Sequence, residues 1–166
     1  YLSKAHEHRV RRAAQTLIEN ARRNIAQKVL PNTINNMQRI LPVLTMDRYH
    51  DAQLQEDERG GYKISVWDER AQALRAKRIF SGGTKDQISL ALRLSFALAT
   101  LPQERGTTPS FIFLDEPVSA FDAERAQRLL ELLIRGEVAD AFDQIFVISH
   151  SQVLESSEFK YHIVMD

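Results

Sequence analysis

Phe111-Ile112-Phe113-Leu114-Asp115-Glu116-Pro117 is the stretch on which the fold turns. Four apolar residues in a row predict a short strand of the fully buried kind found in parallel sheets. An acidic pair follows at once. In open α/β sheets ligands bind beyond the carboxyl ends of the strands, which places Asp115 and Glu116 at a binding edge. One carboxylate there can hold Mg2+, directly or through water, and the next can orient and deprotonate an attacking water. Alone, an acidic pair after an apolar run also simply ends a strand, so its neighbours decide its meaning.

Downstream, Ile145-Phe146-Val147-Ile148 predicts a second buried strand, and Tyr161–Met165 a third. A helix from about Ala123 to Arg135 carries Ala126, Leu129, Leu130 and Leu133 on one face, and Gly136 ends it. Strand, helix, strand with apolar strands predicts a parallel α/β sheet with right-handed crossovers. His150 stands just past the second strand, after Ser149, at the edge that carries Asp115 and Glu116. There an imidazole can contact a terminal phosphate or the attacking water. Ser119-Ala120-Phe121-Asp122 leads into the intervening helix, with Asp122 as its cap.

Upstream, Ser81-Gly82-Gly83 opens an apolar helix to about Leu101, followed by a loop from Pro102 to Pro109. Ser81 suits the cap position, and the glycines let backbone N–H groups approach an anion at the positive end of the helix. Lys85 adds charge nearby.

The amino-terminal part reads differently. Residues 3–30 predict one long helix, with Val10, Ala14, Leu17, Ala21, Ile25 and Val29 at three- and four-residue steps. That narrow stripe suits a coiled-coil partner, and an ordinary surface helix packed on its own domain is the alternative. Pro31 marks a kink or the start of a second helix carrying Leu30, Ile34, Met37 and Leu41, which Pro42 closes. Tyr62, Ile64 and Val66 alternate with Lys63, Ser65 and Trp67, a half-buried strand. Residues 49–55 are the candidate partner strand, Gly60-Gly61 the turn, and Glu69–Lys77 a helical connector. The expected division is a helical or coiled-coil segment over 1–45 and a lobe over 46–166, with a hairpin region (46–78) and the α/β part (79–166).

At 166 residues the chain suits one compact domain with an appended element. Lys+Arg and Asp+Glu both total 22, so net charge marks no nucleic-acid surface. A local basic face remains, because Lys4, Arg9, Arg11, Arg12, Arg22, Arg23 and Lys28 all fall in the first 28 residues. Absence of cysteine excludes disulfides and thiolate metal sites. No apolar run approaches the roughly 20 residues of a membrane span, so a soluble cytoplasmic protein is expected. A start without Met, inside helix-like sequence, fits a fragment or a processed piece.

Phe80-Ser-Gly-Gly-Thr-Lys-Asp-Gln87, Phe111-Ile-Phe-Leu-Asp-Glu-Pro117, Ser119-Ala-Phe-Asp122 and Ile148-Ser-His150 resemble, in order, the signature motif, Walker B strand, D-loop and H-loop of ABC ATPases. The likeness covers about residues 79–166. A hairpin reached from a long helix is similar to the carboxy-terminal head lobe of structural-maintenance-of-chromosomes (SMC) proteins and related DNA double-strand-break-repair ATPases. The resemblance implies a parallel-sheet P-loop NTPase lobe with a coiled-coil stub, and ATP and Mg2+ as cofactors. It implies Asp115 in the Mg2+ shell, Glu116 as general base, His150 on the γ-phosphate and Asp122 in a dimer-contacting D-loop. Ser81 and Gly83, with Gly82 and Lys85 in the same loop, would meet the nucleotide of an opposing head. The implied partners are a second head, DNA and a nuclease or other accessory subunit, with no membrane, in a nucleoid-associated setting if the source is bacterial. One departure is large: no Gly-x-x-x-x-Gly-Lys-Ser/Thr occurs. The Walker A lobe must then come from the same parent chain or a separate one. A transporter ATPase subunit and a non-catalytic scaffolding module are the alternatives.

Overall fold

The computed structural model describes residues 2–57, 61–101, 110–119, 121–155 and 159–164. Helix α1 (Leu2–Asn24) runs through a π-helical turn, Ile25–Val29, into α2 (Leu30–Thr45). The Leu30 amide donates to Ile25 O, five residues back. That widened turn directly precedes Pro31, which has no N–H and whose ring would otherwise meet the Gln27 carbonyl. Pro31 thus opens the second helix, but Pro42 does not close it. The helix continues to Thr45 because Leu41, Leu44 and Thr45 are buried, and Met46 ends it in the left-handed conformation (φ 55). Lys4 and residues 6–24 of α1 are exposed, Leu17 at 70%. By contrast, Met37, Ile40, Leu41 and Leu44 of α2 are wholly buried.

Strands β1 (Tyr49–Glu56), β2 (Tyr62–Asp68) and β3 (Ala73–Ala76) form an antiparallel sheet in that order. Leu54 pairs with Ile64, and a bulge between His50 and Gln53 coincides with left-handed Asp51 (φ 46). Gly61 N–H donates to Asp57 Oδ1 at 2.8 Å, while Gly60 lies outside the described residues. The helical connector expected over Glu69–Lys77 is not formed. A turn through left-handed Gln72 (φ 48) sends Ala73–Ala76 back along β2, with Val66 opposite Arg75, and strand pairing overrides the helix preference of Ala, Leu and Arg.

A 3-10 turn, Lys77–Ile79, leads into α3 (Gly82–Thr100). Then follow β4 (Phe111–Asp115), α4 (Ala123–Ile134), α5 (Glu137–Ala141), β5 (Gln144–Ile148) and α6 (Gln152–Glu155). Strands β4 and β5 pair in parallel, from Phe111 opposite Gln144 to Asp115 opposite Ile148. The third strand expected at Tyr161–Met165 is absent over 161–164, where Tyr161, Ile163 and Val164 are exposed; Met165 lies outside the described residues. The Pro102–Pro109 loop and Ala120 also lie outside them.

One core cluster joins α2, the hairpin, α3, β4 and α4. Tyr49 meets Phe80 edge-on, ring centroids 5.0 Å apart, and Asn36 Nδ2 donates to Ser95 O at 3.0 Å. Such a ring pair adds about 0.5–1.5 kcal/mol beyond its buried area. Full burial of β4 and β5, expected from their apolar runs, is met on one face only. Leu114, Ile112, Ile145 and Val147 turn to the core. On the other face Phe113 stays 61% exposed and Ile148 48%, with Phe113 stacked on Phe146 at 4.5 Å.

Candidate functional site

Because β4 and β5 are parallel and in register at Asp115 and Ile148, the residues that follow both strands emerge at one edge. Glu116 continues the ladder by one step, its N–H donating to Ile148 O at 2.8 Å. Its backbone then enters the left-handed region (φ 47), which costs a non-glycine residue about 1–3 kcal/mol. Three donors converge on its carboxylate. Ser149 Oγ–H donates to Oε2 at 2.9 Å; the His150 backbone N–H, at 3.0 Å, and Nδ1, at 2.7 Å, meet Oε1. With the carboxylate ionised, Nδ1 carries the proton.

Partial desolvation pushes the Glu116 pKa up, but hydrogen bonds from Ser149 and His150 outweigh it and hold the carboxyl below its ordinary value. The Glu116 side chain is 32% exposed and that of His150 88%. The acid and the imidazole expected at one sheet edge are therefore in direct contact.

Asp115 ends β4, exposed, and its carboxylate takes no hydrogen bond or ion pair among the described residues. A single unengaged carboxylate fits Mg2+, which commonly takes one or two protein carboxylates and fills its octahedron with water and phosphate oxygens. No group of three or more His, Asp and Glu is arranged as a metal cage among the described residues.

Ser81, Gly82, Gly83 and Lys85 lie at the start of α3. Ser81 caps the helix, its Oγ accepting from Thr84 N at 3.5 Å and donating to Thr84 Oγ1 at 3.1 Å. Ser81, Gly82 and Gly83 are exposed, and a Cβ added at Gly82 would meet nothing within 4 Å. Nothing among the described residues therefore requires glycine at 82. Contact between Lys77 Nζ and Ser89 Oγ, which donates in turn to Lys85 O at 2.6 Å, ties the preceding turn to the helix. No hydrogen bond or ion pair among the described residues joins this loop to Glu116 or His150.

Asp122 caps α4: Oδ1 accepts from Arg125 N at 2.9 Å and Oδ2 pairs with the Arg125 guanidinium. Ser149 is the member that motif reading left without a role. Its only sequence signal is adjacency to His150, and its engagement with Glu116 depends on the left-handed turn at 116.

A second polar cluster sits on the hairpin. His50 bridges Asp51 Oδ2 (2.9 Å, from Nδ1) and Glu69 Oε2 (3.0 Å, from Nε2), and Trp67 Nε1 donates to the same Glu69 oxygen at 3.1 Å. The hydrogen bond to Glu69 raises the His50 pKa, desolvation opposes it, and Asp51 adds to the rise. This reads as a structural clasp between β1 and the β2–β3 turn. Sequence reading could not pair His50 with a residue it had assigned to a helical connector.

Comparison with curated proteins finds no match. Among solved structures, a chain from work on ATP-driven dimerization and DNA-stimulated activation of SMC ATPases matches with a TM-score of 0.61 and 19% identity, over 80% of this chain and 75% of that one. The Smc head domain with a coiled coil and joint from Pyrococcus yayanosii matches with a TM-score of 0.62 and 18% identity, over 93% of this chain. The Pyrococcus furiosus Smc head bound to the C-terminal domain of ScpA gives 0.55 and 17%, again over 93%. This chain spans only 30% and 39% of the lengths of those two Pyrococcus chains. At such identities the likeness establishes the fold, that of an SMC ATPase head. The family model described as SbcC/RAD50-like, Walker B motif, matches residues 52–135, just over half of the chain, from the hairpin through β4 to the end of α4. The protein belongs to the SbcC/RAD50-like Walker B family.

Proposed function

We propose that this chain is the carboxy-terminal lobe of a head that binds and hydrolyses ATP, dimerises on ATP, and serves DNA repair or chromosome organisation. The observation that carries the reading is the Glu116 carboxylate held by Ser149 and His150, with Asp115 unengaged beside it, at the carboxyl end of a parallel sheet. Family membership and the SMC-head fold support it, and they favour an SMC-like machine over a transporter subunit.

In this reading Glu116 accepts the proton of the attacking water, and His150, the most exposed member, turns to the γ-phosphate. Asp115 would hold Mg2+, which when bound would neutralise phosphate charge. Ser81, Gly82, Gly83 and Lys85 present N–H, hydroxyl and ammonium donors to nucleotide held by a second head, beside the D-loop that contains Asp122. Phosphoryl transfer depends mainly on positioning and charge stabilisation, so donors arriving from another subunit complete such a site.

A Walker A lobe, from the same parent chain or a separate one, would cover the apolar face that Phe113, Phe146 and Ile148 leave open. Within the helical segment 1–45, α1 would form the coiled coil, its exposed apolar residues meeting an antiparallel helix, while α2 packs into the core of the lobe at 46–166. DNA and a nuclease or other accessory subunit are the further partners of this reading, in the cytoplasm and on the nucleoid if the source is bacterial. Among the described residues no helix is long and apolar enough to cross a membrane.

The test is Glu116→Gln in the ATPase assembled with its Walker A lobe. ATP should still bind, turnover should fall about 10²–10⁴-fold, and dimers should persist. Near-normal turnover removes Glu116 from the base role. An assembled but unmutated head that never turns over ATP would instead favour the scaffolding module.

A further inference from the structure

Ser149 differs from the other groups around Glu116 in what limits its movement. Its hydroxyl is half-buried and accepts from Ser151 N–H at 3.2 Å, which uses an oxygen lone pair and leaves the hydroxyl proton directed to Glu116 Oε2 at 2.9 Å. The His150 imidazole is largely in solvent and, among the described residues, meets the other oxygen, Oε1, where the His150 backbone N–H also arrives. The two carboxylate oxygens are thus served unequally. Oε2 has a fixed side-chain donor among the described residues, whereas Oε1 has one fixed backbone donor and one donor on an exposed ring.

We infer that Ser149 is a positioning residue for the attacking water, because it holds Glu116 Oε2 in place while departure of the His150 ring opens a lone pair on Oε1. This rests on the proposed role of Glu116 as base. When the ring leaves for a phosphate, the carboxylate keeps two donors, Ser149 Oγ–H and the backbone N–H of His150. Two hydrogen bonds from adjacent residues, one to each oxygen, fix both the place and the plane of a carboxylate. The Oε1 lone pair vacated by Nδ1 then points where the imidazole had been, which is where water can enter. Without Ser149, one backbone donor is left to orient the group, and the side chain is free to rotate about its terminal bond. The left-handed backbone at Glu116 fits the same arrangement: it carries the side chain to the end of β5, where Ser149 waits.

Ser149→Ala, Ser149→Thr and Glu116→Gln are to be compared in the ATPase assembled with its Walker A lobe. Ser149→Ala should lower kcat about 10- to 100-fold with KM for ATP changed less than about twofold, because misplacement of the base affects the chemical step and not binding. Ser149→Thr, which keeps the hydroxyl, should restore kcat to within about threefold of the unmutated enzyme. A crystal structure of the Ser149→Ala chain should show the Glu116 carboxylate rotated from its present plane, with Asp115 and the β4–β5 register unchanged. Wild-type kcat in Ser149→Ala alongside an inactive Glu116→Gln overturns the role of Ser149 and leaves the base assignment standing. Full turnover in Glu116→Gln overturns the base assignment itself. An unmoved carboxylate in Ser149→Ala, or a Thr variant as impaired as the Ala variant despite an unaltered melting temperature, also refutes the positioning role.

Discussion

The α2–α3 interface and the outer face of the β4–β5 sheet are built from the same kinds of residue, yet the molecule treats them in opposite ways. Leu41, Leu44, Ile88 and Leu94 are wholly buried, within reach of hairpin residues such as Val66 in a single core. Among the described residues Phe111, Phe113, Phe146 and Ile148 form an equally apolar surface that stays substantially open, Phe111 edge-on to Phe113 and Phe113 stacked on Phe146. Apolar area left in water is costly at roughly 25 cal/mol per Å2, so a contiguous aromatic face of this kind belongs under something. Where the chain supplies both sides of a contact, apolar sequence means core. Where it supplies one side, apolar sequence describes a partner.

The largest expected effect that sharpens this contrast is on the closed side. Leu94→Ala should destabilise the chain by about 2–5 kcal/mol, read by urea unfolding, since the rigid surroundings of α2 and the hairpin cannot collapse into the space. A loss below about 1 kcal/mol would mean that this core is loosely packed. On the open side the same kind of truncation should act elsewhere. Phe113→Ala should change the stability of the chain alone by no more than about 1.5 kcal/mol, the worth of its ring contacts. It should weaken association with the Walker A lobe about tenfold or more, as loss of a central interface aromatic does, measured by titration calorimetry. The reverse pattern, a chain crippled alone and an association untouched, would break the contrast.

The smallest effect concerns the His50–Glu69 clasp on the exposed side of the hairpin, outside both of these surfaces. The His50 pKa is raised above its ordinary 6.5 and that of Glu69 lowered below its ordinary 4.5, chiefly by the hydrogen bond between them. The contribution of His50 is complete below 6.5 and is lost as pH rises through its folded-state pKa; that of Glu69 is complete above 4.5 and is lost as pH falls. The clasp is therefore fullest between those two values. Thermal melts across pH should show a shallow loss of stability on the alkaline side that His50→Gln removes. Identical profiles for both proteins would mean that the clasp adds nothing.

Reading the residues alone went furthest where local chemistry decides. Ser81 and Asp122 cap helices as their positions before apolar runs required, β2 forms where Tyr62–Trp67 alternate, and the candidate strand at 49–55 pairs with it. The order of the acidic pair, the imidazole and the glycine loop already pointed to one family, because these types recur at strand ends and helix starts for reasons of phosphate chemistry. Ala73–Ala76 departs from the expected helix because its helix-forming residues are overruled by pairing with β2, a contact between chain segments that propensity does not contain. Pro42 was misread for the same reason, burial of Leu41 and Leu44 carrying the helix past it.

What the amino-acid string determined by itself was the set of chemical groups, their order, and which strand ends carry them. What only the tertiary structure decided was how those groups meet. A left-handed turn at Glu116 and the parallel register of β4 on β5 bring a serine hydroxyl and an imidazole each within 3 Å of one carboxylate, across 33 or 34 residues of chain. Strand register and side-chain reach are properties of packed neighbours, and a linear pattern does not hold them.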